Sequence, residues 1–411
     1  MSSIRKPANP MLDHNSLPFY PLTAASQIVK EDGSRLEVNG TISVNHASTA
    51  DSATKATSAT SATNATTAAN ASKLGNQNPS YYYSGAPNYT YDGRDLSTIF
   101  DSVTALHTAV AAGDFTNIRN GDYWPITLNG SYYDYSSYTC PSGTTYYSDT
   151  GLATSVSTTS SALEALYVND TYCSVTISST TYYVPTSACI AYYVRTMSNA
   201  IVKLEANINV YWKYGDSGSI ANGTNHIVFC SRDLLPHLLK MRKTGTSWED
   251  TSATNPWLGS ALYKTLNDPD HGVLPLLLAT DIGNYIFSGP NGNGMRFLGE
   301  TKAANATSAT GWAWMDRGKL FLPTEREVWG QDVWSEHSYG GGAGIQWPVF
   351  AGSLRHVVKG LGNGGSRYSW WVQSSRTGSA SYFCIVGHCG YPYDYSASTT
   401  WRGVPLCFLF V

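Results

Sequence analysis

Ser381-Tyr382-Phe383-Cys384-Ile385-Val386 and, at the end of the chain, Gly403-Val404-Pro405-Leu406-Cys407-Phe408-Leu409-Phe410-Val411 contain apolar runs of strand length. Residues 383–386 and 404–411 read as buried strands, the second ending the chain inside a core. Between them lies a different composition. Gly387-His388-Cys389-Gly390-Tyr391-Pro392-Tyr393-Asp394-Tyr395 and the residues up to 402 carry Tyr, His, Asp, Trp and Arg with few aliphatics. Such a block cannot be mostly core, so its rings are expected on the surface of a rigid scaffold. Exposed Tyr and Trp give large contact area at little entropic cost, and a flat ring also matches the apolar face of a sugar.

Working outward, residues 115–411 read as a mixed, strand-rich globular region. Tyr182–Val184 and Ile227–Cys230 are β-favouring runs between turn signals. Leu234–Lys240 and Ala261–Leu266 read as short helices, the second capped by Ser260. Thr324 followed by Glu327 is a capping-box signal that opens a helix. Residues 140–220, rich in Ser, Thr and Tyr, read as an insertion.

Two runs have heptad spacing. Leu96, Ile99, Val103, Leu106 and Val110 are spaced 3, 4, 3, 4, with Asp95 at the start and Gly113 as the stop. Val194, Met197, Ile201, Leu204, Ile208 and Tyr211 repeat that spacing. Either run reads as a trimerising coiled-coil seam or as an amphipathic helix on its own domain. Ahead of them, Ala recurs every third residue from 47 to 71. A period of three drifts around an α-helix, so the repeat fits a slender multichain stalk or a flexible linker. The first 75 residues hold Phe19 and Tyr20 as their only aromatics. The resulting division is 1–46 attachment segment, 47–75 stalk, 76–112 linker and trimerisation helix, and 113–411 binding domain.

Composition narrows the function. With 26 basic and 29 acidic residues the formal charge is −3, and nucleic-acid binding, which needs a basic stripe, is not expected. Charged residues are 13% of the chain, against about 25% in ordinary globular proteins. The 29 Tyr and 12 Trp exclude a disordered chain. No apolar run of about 18 residues predicts membrane insertion. The start of the chain has prolines where a leader would have an apolar core, so synthesis in a cytoplasm with later release is expected. Seven cysteines show no zinc spacing. No hydrolase, zincin, P-loop or dinucleotide motif is present. Glu336-His337 reads as a solvated pair. Asp316, Asp332 and Asn363 are oxygen donors without EF-hand spacing. No catalytic residue, metal or cofactor is expected.

Gly121-Asp122-Tyr123-Trp124, Asn225-His226-Ile227-Val228-Phe229-Cys230-Ser231-Arg232-Asp233, Asn255-Pro256-Trp257 with Leu262 and Leu266-Asn267, Phe321-Leu322-Pro323-Thr324-Glu325-Arg326-Glu327-Val328-Trp329-Gly330, the Trp370-Trp371 pair and Gly403-Val404-Pro405-Leu406-Cys407 together resemble a family of C-type-lectin-like domains. That family closes tail proteins of phages of gut bacteria, some of them diversified by retroelements. The resemblance implies an α+β fold: a C-terminal C-type-lectin-like domain behind an extended fibrous stalk and short coiled-coil-like helices. It implies a homotrimeric tail fibre in the virion, held to tail or baseplate proteins by its N-terminal segment and binding a host glycan or surface protein. It assigns receptor contact to Tyr368, Arg376, His388, Tyr391, Tyr393, Asp394, Tyr395, Trp401 and Arg402. The lectin calcium motif is not recognisable, so calcium-dependent binding is not carried over. Two alternatives remain, a bacterial surface adhesin and an enzyme such as a depolymerase or a relative of formylglycine-generating enzymes. The last would draw on Cys384 and Cys389.

Overall fold

The computed structural model describes residues 11–12, 18–19, 93–211, 225–243, 256–288, 296–301, 311–335, 346–351, 354–377, 379, 381–398 and 400–411. The chain divides into two units, Met1–Tyr91 and Asp92–Val411. In the first, β1 (Met11–Leu12) and β2 (Pro18–Phe19) pair antiparallel. The remainder of the expected attachment segment, the Ala repeat and Glu336-His337 lie outside the described residues.

The second unit is mostly β-sheet with few, short helices, an α+β arrangement. Its first helix, α1 (Val103–Ala112), begins at Ser102, whose hydroxyl accepts the Ala105 N–H, and stops at Gly113 with φ +73°. β3 (Tyr123–Asp134) leads into β4 (Tyr138–Cys140), β5 (Thr145–Tyr147), β6 (Ser155–Thr158), β7 (Leu163–Tyr167), β8 (Tyr172–Ile177) and β9 (Thr180–Pro185). These last six form their own sheet, order β4-β7-β8-β9-β5-β6, over a small core of Tyr138, Cys140, Ala165, Cys173, Val175 and Val184. The expected insertion therefore holds a separate sheet, but its last third returns to the main one. β10 (Tyr193–Ile208) pairs with β3 along its length and with β11 (Ile227–Ser231).

Helices α2 (Ala261–Asn267) and α3 (Val273–Leu278) follow. As expected, the Ser260 hydroxyl caps α2 by accepting the Tyr263 N–H. β12 (Arg296–Thr301) and β13 (Gly311–Asp316) form a hairpin. β14 (Leu320–Phe321) enters the main sheet, and α4 (Glu325–Trp329) opens on a complete capping box between Thr324 and Glu327. Next come α5 (Leu354–Val357), β15 (Lys359–Gly360), β16 (Arg367–Tyr368), β17 (Trp370–Ser375), β18 (Tyr382–Val386), β19 (Pro392–Ser396) and β20 (Cys407–Phe410). The main sheet runs β14-β20-β11-β10-β3, and a second sheet runs β17-β18-β19. Every residue of β11, β17 and β20 is buried, which fits sequences without a charged residue, Gln373 on β17 being satisfied by Arg317.

Three sequence expectations fail here. The run 194–208 is a strand, not a coiled-coil helix, and 209–211 lie just beyond its end. Its β-branched residues (Val194, Thr196, Ile201, Val202, Ile208) favour extended backbone. In a strand a spacing of three puts side chains on opposite faces: Ile201 is exposed while Leu204 is fully buried. A bulge between Met197 and Ala200, with Asn199 at φ +50°, shifts the faces again. Met197 is accordingly buried, Val194 exposed and Ile208 half-buried. The run 96–110 is a short 3-10 turn over Leu96–Thr98 plus α1. Leu96, Val103, Leu106 and Val110 are buried in the main core, with Ile99 packed against it. The run is thus the second of its two readings, an amphipathic helix lying on its own domain, and not a helix that presents these four residues to another chain. Leu234–Lys240 is not helical. Its N–H groups are drawn to other segments, Leu234 to Gly360 O, Leu235 to Val404 O and Leu239 to Arg402 O, at 2.8, 2.9 and 2.9 Å.

The stretch 321–330 is a structural hub. Arg317, fully buried, forms a two-pronged ion pair with Glu327 at 2.7 and 2.9 Å. It also donates to Gln373 Oε1 at 2.7 Å and to the Tyr211 hydroxyl at 2.9 Å. That hydroxyl in turn donates to Glu327 at 2.8 Å. One buried network thus fixes the end of β10, α4 and β17 to each other, each charge matched as burial demands.

Candidate functional site: a ring-bearing face on the last sheet

β18 and β19 are joined by a tight turn. Gly387 N–H donates to Tyr391 O and Gly390 N–H to Gly387 O, both at 2.8 Å. Gly390 sits at φ +88°. A Cβ on Gly387 would lie 2.5 Å from Tyr391 Cζ, so only glycine lets the Tyr391 ring lie over the turn. Beyond it, strand alternation sorts the side chains. Tyr391, Tyr393 and Tyr395 point one way and are 46, 42 and 39% exposed, while Asp394 between them is buried.

The three rings form a ladder with His388. Centroids are 6.2 Å apart for His388–Tyr391, 6.1 Å for Tyr391–Tyr393 and 5.6 Å for Tyr393–Tyr395, all tilted or edge-on. Such edge-to-face contacts fix ring orientation. At the far end, the Arg402 guanidinium lies 4.0 Å from the Tyr395 centroid. Burial pulls the Arg402 pKa down, opposed by the nearby phenols of Tyr395, Tyr368 and Tyr391. Arg402 is anchored through its backbone, which exchanges two 2.9 Å hydrogen bonds with Leu239. Tyr368 on β16 is half-buried beside this end.

The structure revises the expected role of two of the nine residues. Asp394 is buried rather than exposed. It lies under the ladder and binds Arg376 at 2.8 Å, holding that partly exposed guanidinium 5.4 Å from the Trp334 ring and 5.7 Å from the Tyr382 ring. Trp401 is half-buried, and one ring face is taken from within by the Lys240 ammonium, 4.2 Å away. Burial pushes the Lys240 pKa down to about 8 against the pull of Asp134 and Glu164. The structure brings Tyr368, Arg376, His388, Tyr391, Tyr393, Tyr395 and Arg402 onto or beside one face.

Trp334 was not anticipated. It packs edge-on under Tyr393 at 5.9 Å and donates its indole N–H to Pro392 O at 3.2 Å. Its loop is pinned by Glu325, which accepts the N–H groups of Val333, Trp334 and Ser335 and the Ser335 hydroxyl at 2.7–3.2 Å. Burial raises the Glu325 pKa, and these hydrogen bonds work against the shift. The acidic residue after Thr324 was a signal for the helix cap but not for this loop clamp.

Other candidate chemistry is committed elsewhere. Burial, the Glu325 carboxylate and Asp394 push the Cys384 thiol well above the ordinary range, which keeps it from being a thiolate nucleophile at neutral pH. Asp332 pairs with Arg326 at 2.7 Å, and Asp316 accepts the Gly318 N–H at 2.8 Å. Among the described residues no cluster of three His, Cys, Asp or Glu is placed to hold a metal ion, and no helix is long and apolar enough to cross a membrane. Known protein families, curated proteins and solved structures gave no match to the chain.

Proposed function

We propose that the chain is a receptor-binding protein of a phage tail fibre, and that the β19 face attaches the virion to a bacterial surface. The supporting observation is the ladder itself: three exposed tyrosines in fixed orientation along β19 and the turn before it, flanked by Arg402 and by the Asp394-anchored Arg376. Rings locked by their neighbours lose little freedom on contact, which favours binding. The phenol hydroxyls, two guanidiniums and His388 supply hydrogen bonds for specificity. The resemblance to lectin-like tail domains supports the same reading, with a host glycan or surface protein as partner. The mechanism is recognition without turnover. A homotrimer joined through the N-terminal third would present three such faces, and linked sites gain affinity through effective concentration. After the reassignment of 96–110 and 194–208, a trimer rests on the Ala repeat rather than on helical seams.

The test is adsorption. Fluorescently labelled full-length protein should coat host cells, and the Tyr391→Ala/Tyr393→Ala/Tyr395→Ala variant should lose at least tenfold in apparent affinity while melting within a few degrees of the parent. Undiminished coating by that variant would remove the ladder from the contact.

A further inference from the structure

The seven cysteines, which showed no spacing in sequence, fall into groups in space. Cys389 is exposed and Cys384 is buried within β18. Cys230 and Cys407 face each other across β11 and β20. The remaining three, Cys140, Cys173 and Cys189, meet in the small core of the six-stranded sheet.

Backbone register places two of these three for a bond. Thr139 and Ile190 exchange both N–H···O hydrogen bonds, each 2.8 Å, as an antiparallel bridge. The next pair along is Cys140 opposite Cys189. It falls at a non-hydrogen-bonded position, where Cα atoms stand about 4.5 Å apart and side chains approach most closely. Cys140 is in β4, and Cys189 is extended at φ −98°, ψ 151°. A disulfide needs Cα atoms roughly 4.4–6.8 Å apart, a range that a pair of this kind ordinarily satisfies. Cys189 also interacts with Cys173. The Cys173 Sγ is 3.5 Å from Thr186 Oγ1, and Cys189 Sγ is 3.6 Å from Pro185 O, one residue away. Cys140 and Cys173 are buried, whereas Cys189 is partly exposed.

We infer that Cys140 and Cys189 form a redox-active pair that closes this sheet with a disulfide, and that Cys173 is a third thiol to which the bond can move. The oxidant is a small-molecule disulfide. Cys189, the accessible thiol, attacks one sulfur of the reagent, forming a mixed disulfide and releasing one thiol. Cys140 then attacks Cys189 Sγ and expels the second. Two protein thiols lose two electrons and two protons, and the reagent leaves as two thiols. In the reduced cluster the Cys189 thiol donates to Cys140 and Cys173, which lowers the Cys140 pKa and raises that of Cys189. Cys189 therefore gives up its proton as it attacks, and the second step rests on the closeness of Cys140 rather than on that bond. The bond ties β4 to the segment after β9.

The main core contains a control. Ser231 N–H donates to Leu406 O at 2.8 Å, so Cys230 and Cys407 also stand opposite each other, but both are fully buried. Oxidant reaches them only through unfolding, and they stay reduced in the folded chain.

The experiment treats folded, full-length Cys389→Ser protein with oxidised glutathione, then alkylates it in denaturant and maps peptides by mass spectrometry. The expected result is a linked 140–189 peptide pair 2 Da lighter than its reduced form, alkylation of Cys230, Cys384 and Cys407, and a melting temperature several degrees higher that dithiothreitol reverses. Cys189→Ser should abolish the link. Cys140→Ser should give a 173–189 link instead, and its absence would overturn the role of Cys173. A lasting glutathione adduct on Cys189 without a second bond, or oxidation of Cys230 and Cys407 first, would overturn the pair.

Discussion

Strands β17 and β19 flank the same central strand, β18, yet they use aromatic residues in opposite ways. Trp370 and Trp371 on β17 are fully buried, and each satisfies its indole N–H internally, on Val357 O and Leu239 O, both at 2.9 Å. Tyr393 and Tyr395 on β19, and Tyr391 just before it, keep about two-fifths of their surface in water. Sequence composition alone does not separate the two cases. Position in the sheet does: both faces of β17 are covered, whereas β19 has one covered face and one bare face. The two are also joined, since Leu239 O accepts both the Trp371 indole N–H and the Arg402 backbone N–H. The buried indole thereby steadies the cation that stacks on Tyr395.

That contrast predicts a graded set of effects. Trp371→Ala should cost about 3–5 kcal/mol, the usual toll for emptying a large buried site, and should remove adsorption together with folding. Urea denaturation checks it, and a loss below about 1 kcal/mol would mean that β17 is not the foundation described.

Acid should act on the core through Glu205. Burial alone would raise its pKa, but His356, Lys359 and Arg232 outweigh burial and hold it at about 2. Contacts at 2.6 Å from Arg232 and 2.9 Å from His356 provide the mechanism. The folded pKa is below the unfolded one, near 4.5. The stabilisation is therefore complete above about pH 4.5 and is lost as pH falls towards 2, amounting to ~3 kcal/mol. Glu205→Gln should flatten that part of a stability–pH curve measured by denaturant melts.

Removing Arg376 is expected to have a smaller effect. Arg376→Ala leaves the Asp394 carboxylate buried without its partner, which should cost about 1–3 kcal/mol. It should weaken cell binding more than it lowers the melting temperature, because the guanidinium is half in water. The smallest change is Gly387→Ala, which must displace the Tyr391 ring. A melting temperature within about 2–3 °C of the parent, with a several-fold weaker adsorption isotherm, would show that ring placement rather than ring presence matters.

What the sequence made legible was local. Ser260, Gly113 and the Thr324–Glu327 box mark helix ends through contacts within four residues, and the scarcity of aliphatics in 387–402 anticipates exposed rings without separating Asp394 from them. The spacing of 194–208 misled because two heptads of 3/4 spacing suit either a helix seam or the two faces of a bulged strand. Trp334 escaped notice because its place under Tyr393 depends on a clamp from Glu325 that only the folded chain creates. Asp394 looked like a surface acid because its partner, Arg376, follows β17 in the chain and meets it only on folding. The three-thiol cluster escaped because its members come from β4, β8 and the segment after β9.

The most direct measurement of the ring face is tyrosine-specific footprinting of the full-length protein, free and bound to host envelopes. Tyr391, Tyr393 and Tyr395 should label readily in the free protein and become protected on envelopes of the host but not of a non-host strain. Equal labelling of all three in both states, with protection at tyrosines elsewhere, would contradict the assignment of β19 as the surface that meets the cell.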